Sequence, residues 1–118
     1  MKISNIIPGR YKALLYSLEG LKFATLREEA FQIELLVSVV LIPAAFYFAH
    51  SGVELAILLA SWLLVLILEL INSAIEATVD RISEEHHELS KLAKDYGSAA
   101  VFLGIVNVVV VWGCVLFF

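Results

Sequence analysis

Residues 68–77 read LELINSAIEA, directly after LAILLASWLLVLI at 55–67, a run without a single charge. An apolar segment that long predicts a buried helix, yet its end carries Glu69, Asn72 and Glu76. At 100° per residue these three positions fall within about 60° of one another on a helix. Ser73 and Asp80 extend the same stripe. A polar stripe on one face of an otherwise apolar helix calls for a partner or a task, and the rest of the chain decides which.

The chain has 118 residues, of which 61% are hydrophobic, and its mean hydropathy is +0.91. Soluble domains are about 45–50% apolar, so this composition belongs to the membrane class, in one domain over residues 1–118. The net charge of −4 gives no footing for nucleic acid. Cys114 is the single cysteine, which excludes an internal disulfide and a cysteine metal cluster. MKISNIIPGR lacks an apolar core of signal-peptide length before Pro8 and Gly9, so no cleaved leader is expected.

Three segments come near the roughly 20 apolar residues that cross a bilayer. They lie at about 30–49, 53–73 and 97–117, and Pro43 is a kink point in the first because proline removes a backbone donor. His50-Ser51-Gly52 allows only a tight turn between the first two, whereas the second connection, about 77–96, is charged. Lys2, Arg10, Lys12, Lys22 and Arg27 precede the first span, and Arg81, Lys91 and Lys94 lie in the second connection. Every Lys and Arg thus falls on one side, which the positive-inside rule makes cytoplasmic, with the C-terminus outside. A fourth helix, about 10–27, gathers Tyr11, Leu14, Leu15, Leu18 and Leu21 on one face and suits an amphipathic surface helix in the headgroup region. The expected architecture is therefore an all-α membrane protein with three transmembrane helices and an N-terminal surface helix.

On this layout Glu69 lies about four residues inside the cytoplasmic boundary, roughly 6 Å deep. A charged side chain deep in a bilayer costs on the order of 3 kcal/mol, so such groups pair or function. Glu28 and Glu29 reach the matching boundary of the first span, and Lys94 and Asp95 the head of the third. Carboxylates at a water–lipid boundary suit Mg²⁺, a hard ion that takes oxygen ligands and keeps some water. Lys94 can meet phosphate oxygens as a point charge. Neither GxxxxGK[ST] nor GxGxxG occurs, so no standard phosphate loop is present. Gly97, Ala100 and Gly104 share a face of the third span, for close packing either within one subunit or between subunits.

ELINSAIEATVDRI and EEHHELSKLAKDYGSAAV, with YSLEGLKFA and EEAFQIE upstream, resemble the bacterial integral-membrane diacylglycerol kinase family. The resemblance covers most of the chain. It implies a homotrimer in the bacterial inner membrane, with active sites shared between subunits, that transfers the γ-phosphate of MgATP to the hydroxyl of diacylglycerol and gives phosphatidic acid. It implies Glu69 as general base, Glu28 and Glu76 as ligands of the metal on the ATP phosphates, and Asn72 in support. For the nucleotide it implies Arg10, Tyr16, Glu28, Glu76, Glu85, His86, His87, Lys94 and Asp95, and for the lipid substrate Glu34, Glu69 and Ser98. The family pattern has a basic residue at position 92, where this chain carries Leu92 with Lys91 beside it. Two other functions fit the composition: an undecaprenol kinase of the same architecture, and a proton or ion conduit using Glu69 and Asn107. A conduit needs polar residues across a span, and LAILLASWLLVLIL offers only Ser61.

Overall fold

The computed structural model describes residues 9–82, 85 and 87–118. Among the described residues four helices follow one another: α1 (Gly9–Arg27), α2 (Glu29–Phe48), α3 (Gly52–Ile82) and α4 (Glu88–Phe117). The last three are long and apolar enough to cross a membrane.

The joint between α1 and α2 is a single residue. Glu28 has extended backbone angles, φ −99° and ψ 109°, while its N–H still donates to the Ala24 carbonyl at 2.9 Å and its carbonyl accepts from the Gln32 N–H at 3.0 Å. Gln32 Nε2 donates to the Thr25 carbonyl across the break at 3.0 Å. The chain thus changes direction without leaving a row of unsatisfied helix-end groups. Pro43 lies inside α2, which continues through it to Phe48.

The turn into α3 is fixed by a local cap. Ser51 Oγ accepts from the Glu54 N–H at 3.1 Å, and the Glu54 carboxylate accepts from the N–H of His50, the residue before the cap, at 2.7 Å. Ser followed three residues later by Glu is the sequence mark of the first of these bonds. At the other end α3 does not stop where its apolar run stops. It continues to Ile82, and α4 begins at Glu88, so the charged connection expected over about 77–96 is mostly helix. Ala77, Thr78 and Val79 contain no glycine or proline to end a helix, and the Asp80–Lys94 ion pair joins the two helices past the apolar region at 2.5 Å. His87 caps α4, its Nδ1 accepting from the Leu89 N–H at 3.1 Å.

α3 is the central element, packed against α2 on one side and α4 on the other. Leu58 and Val65 of α3 are fully enclosed, with Trp62, Ser61, Phe31, Ser38 and Ala45 buried around them. Against α4 the approach is close because Gly97 and Gly104 are buried in the contact. A Cβ on Gly104 would stand 2.8 Å from Leu68 Cδ1, and one on Gly97 would collide with Asn72 Oδ1. The small-residue face of the third span therefore packs within the subunit. Leu36, Val39, Phe102, Leu103 and Val109 point outward and are more than half exposed. The chain measures 51 × 43 × 21 Å; its least dimension is about two helix diameters, so three long helices enclose little of their own surface. In α1, Tyr11, Leu14, Leu15, Leu18 and Leu21 are exposed, and Ala24 is buried at the α2 end.

Candidate active site

The α3 stripe runs from apolar core to solvent in about three turns. Glu69 is 6% exposed. Asn72 and Ser73 are half-buried, and Glu76 and Asp80 are exposed. Burial of Glu69 follows from its position one turn beyond Val65, on the face that α2 and α4 cover. Its carboxylate is within Coulombic reach of Glu76 and of Glu28, the joint residue between α1 and α2. Glu34 of α2 is within reach of Glu69 in turn. Four carboxylates expected from the sequence are thus brought to one end of the bundle by three separate pieces of chain.

Asn72 links the stripe to α4. Its Nδ2 donates to Glu76 Oε1 at 3.3 Å, while its Oδ1 is buried against Gly97 with no hydrogen-bond partner among the described residues. Glu34 Oε2 is likewise buried, with no hydrogen-bond partner among the described residues. Buried polar atoms are nearly always satisfied, so unpaired oxygens on two residues of this cluster mark a place with hydrogen-bonding capacity to spare.

Cationic charge arrives from α4. The Lys94 ammonium sits 2.5 Å from Asp80 Oδ1, before the apolar run that starts at Gly97, and also feels Glu76. The hydrogen bond to Asp80 holds Lys94 above the ordinary lysine range. Asp95 is exposed and is bound by Lys91 at 2.6 Å along the α4 surface. The pairing of Asp80 with Lys94 was not legible in the sequence beyond Asp80's place in the stripe, because it depends on how α4 lies against α3.

Other expected site residues are not assembled in one chain. Arg10 stacks over the Tyr11 ring at 5.1 Å, and Tyr16 and Ser98 are exposed. Among the described residues, no hydrogen bond or ion pair joins these three to the stripe. His87 serves as the α4 cap, Glu85 is exposed, and His86 lies outside the described residues. No group of three or more His, Cys, Asp or Glu among the described residues converges to hold a metal ion by itself.

A groove of about 740 Å³ separates α1 from this end of α3, lined by Gly20, Ala24, Glu28, Leu70, Ser73 and Ala74 among others. Small residues on both helices leave it open, and Glu28 and Ser73 give it a polar edge beside the stripe. An apolar channel with a few convergent polar groups is the usual form of a small-molecule site.

Residues 15–116 match the prokaryotic diacylglycerol kinase family. Among its relatives, the diacylglycerol kinase of Haemophilus influenzae is 50% identical over 103 residues, covering 87% of each chain. That of Pseudomonas aeruginosa is 52% identical over 101 residues, 86% of this chain and 82% of its own. That of Escherichia coli K12 is 44% identical over 105 residues, 89% and 85%. With a buried carboxylate, a ring of further carboxylates and a lysine gathered at one end of three membrane-length helices, and with that similarity across nearly its whole length, this chain belongs to the prokaryotic diacylglycerol kinase family.

Proposed function

We propose that this chain is a membrane lipid kinase that transfers the γ-phosphate of MgATP to the free hydroxyl of diacylglycerol, giving ADP and phosphatidic acid. The observation that carries the chemistry is Glu69: a carboxylate 6% exposed, at the end of the apolar run of α3, within Coulombic reach of Glu28, Glu34 and Glu76. At that depth it meets the hydroxyl of a lipid whose acyl chains remain in the apolar layer. The transferring phosphoryl group asks little covalent help from protein; it needs alignment, charge neutralisation and a group to take the hydroxyl proton.

In this reading Glu69 accepts that proton as the hydroxyl oxygen bonds to the γ-phosphorus and the bond to the ADP oxygen breaks. Asn72 braces Glu76 through its hydrogen bond. Lys94 turns from Asp80 toward phosphate oxygens, and Asp95, Glu85, His86, His87, Arg10 and Tyr16 bind the nucleotide. Glu34 and Ser98 line the lipid side. The donor set fits Mg²⁺: Glu28 and Glu76 flank the same carboxylate, and magnesium is ordinarily held by one or two carboxylates with substrate phosphates and waters rather than by an all-protein cage. The ion supplies neutralisation of the phosphate charge.

A homotrimer with sites shared between subunits is the assembly we favour. The support is the thinness of one chain, 21 Å, its wide apolar exposure, and the separation of Arg10, Tyr16 and Ser98 from the stripe. A neighbouring subunit can supply those groups. The distribution of Lys and Arg supports a cytoplasmic active site and N-terminus in the bacterial inner membrane, and the apolar face of α1 supports its lying on the membrane surface.

The relatives carry the diacylglycerol kinase name, which sets diacylglycerol above undecaprenol as acceptor. The test is purified protein in mixed micelles with labelled ATP, offered each lipid separately. Labelled phosphatidic acid is the expected product. Label in undecaprenyl phosphate alone would replace the acceptor, and no labelled lipid at all would end the kinase reading.

A further inference from the structure

Deep in the α2–α3 contact, away from the charged end, two polar side chains are buried. Ser38 is 7% exposed and Trp62 is 9% exposed. Trp62 Nε1 donates to Ser38 Oγ at 2.7 Å, and Ser38 Oγ donates to the Glu34 carbonyl at 2.8 Å. The indole of α3 is therefore tied, through one hydroxyl, to the helical turn that carries Glu34.

We propose that Trp62 and Ser38 are a positioning pair for the lipid side of the active site, their hydrogen bond setting α2 against α3 so that the Glu34 carboxyl faces Glu69. The inference rests on Glu69 as the acceptor of the lipid proton.

Three observations lead to it. Trp62 and Glu69 are seven residues apart on α3 and so share a face, about 10 Å from one another along the axis. Glu34 stands one turn from Ser38 on α2, about 6 Å along its axis. α2 and α3 are consecutive and joined by a three-residue turn, so they run antiparallel and both carboxyls lie on the same side of the tie. The second observation is the state of Glu34: its Oε2 is buried without a hydrogen-bond partner among the described residues and it feels the Glu69 carboxylate. A group with that much unmet capacity works only if its direction is fixed.

The third is the nature of the surroundings. In an apolar layer, helix packing gains nothing from excluding water, so packing and hydrogen bonds between helices decide their register. Leucine and valine contacts tolerate sliding; an indole N–H aimed at one hydroxyl does not. A one-residue slip of α2 would rotate Glu34 by about 100° away from Glu69. Glu76 and Lys94 at the nucleotide end are carried by α3 and α4, and Glu28, ten residues from Ser38, is held to α1 by the bond from its N–H to the Ala24 carbonyl. Loss of the tie therefore acts more on the lipid than on ATP.

The experiment uses the full chain in lipid bicelles, with steady-state constants measured separately for diacylglycerol and MgATP and with thermal stability on the same preparations. Trp62→Phe keeps a ring and removes the donor; Ser38→Ala removes the acceptor; Ser38→Thr keeps the hydroxyl. The expected result is a drop of about tenfold in kcat/KM for diacylglycerol in Trp62→Phe and Ser38→Ala, within the range that sub-ångström to ångström misplacement produces. KM for MgATP changes by less than the lipid constant, Ser38→Thr restores the lipid constant, and the Trp62→Phe, Ser38→Ala double variant is no worse than Ser38→Ala, as for two halves of one interaction. A parallel fall in both substrates' constants with lowered thermal stability overturns the proposal in favour of simple packing, and unchanged lipid constants overturn it outright. Glu69→Gln, assayed alongside, keeps the two readings apart: parent-like turnover there overturns the base assignment whatever Trp62→Phe does, whereas an inactive Glu69→Gln beside a parent-like Trp62→Phe overturns the positioning pair alone.

Discussion

Gly97→Ala places one methyl group where α4 meets the active-site stripe. The added Cβ would collide with Asn72 Oδ1 and stand 3.3 Å from Asn72 Cγ and 3.5 Å from Ile75 Cδ1. Ile75 is in ordinary contact and stays, so the amide must move. It is held by a weak hydrogen bond of 3.3 Å to Glu76, worth about 1 kcal/mol, and forcing a methyl into a packed contact costs about 1–3 kcal/mol. Against this, alanine in a helix interior is more favourable than glycine by roughly 1 kcal/mol. The net loss of stability is therefore small, about 1–3 kcal/mol with the hydrogen bond included, and the chain remains folded. Activity has no such offset. Asn72 is displaced, Glu76 loses its brace, and a shift of about 1 Å at a reacting centre can cost on the order of 10²-fold. Gly104→Ala is the matched control: its Cβ meets Leu68 Cδ1 at 2.8 Å, the far end of a flexible side chain, and Val65 only at 3.6 Å. It should fold and turn over like the parent. Thermal unfolding and lipid phosphorylation measured on the same bicelle preparations read both quantities. The double variant Gly97→Ala with Asn72→Ala removes the collision, so it should recover stability and remain inactive. Parent-like turnover in Gly97→Ala, or an equal loss in Gly104→Ala, would refute the link from Gly97 through Asn72 to the site.

Glu69→Gln keeps volume and hydrogen bonding, so assembly and MgATP binding should persist while lipid phosphorylation falls on the order of 10²–10⁴-fold, the usual share of general base catalysis; near-parent turnover would reduce Glu69 to helix packing. Glu76→Gln and Glu28→Gln should each raise the Mg²⁺ concentration needed for half-maximal rate without unfolding the protein, and a normal magnesium titration would remove that residue from the metal site. Mixing inactive Glu69→Gln and Asp95→Asn chains should restore part of the activity if subunits share sites; mixed oligomers silent at every ratio would end that idea. Asp80→Asn frees Lys94, whose folded-state value is raised by that partner. A raised lysine contributes stability fully below its unfolded value near 10.5 and loses it only as pH climbs through the higher folded value. The gap in thermal stability between parent and Asp80→Asn should accordingly hold constant from pH 7 to 9 and shrink above pH 10.5, and a gap that closes by pH 9 would contradict the pairing.

Much of this protein was legible without coordinates. Hydropathy over 20 or so residues determines which helices can cross a membrane, because the apolar layer leaves no other way to satisfy the backbone; all three segments are helices of that length. The Ser51 cap on the Glu54 N–H is local and could be read from spacing. So could the shared face of Glu69, Asn72 and Glu76, since helical period alone sets it. The limits of α3 and α4 were harder. The charged stretch after residue 77 looks like a connection by composition, but Asp80 and Lys94 pair across the two helices and carry both past the apolar region.

What only the tertiary structure decided is which residues from different helices meet. Glu28, Glu34 and Glu69 come from the α1–α2 joint, α2 and α3; their positions along the chain give a similar depth, but not that they face one another in one electrostatic neighbourhood. Gly97 could have packed against another subunit; instead it lies on Asn72 of its own chain. Trp62 and Ser38, 24 residues apart, carry no motif, yet their hydrogen bond joins α2 to α3 in the apolar core. The physical reason is the same in each case. Periodicity fixes the face of a helix a residue occupies, but the rotation and height of one helix against its neighbour come from the fit of glycines, an indole and a hydroxyl at the contact, and these are properties of the pair.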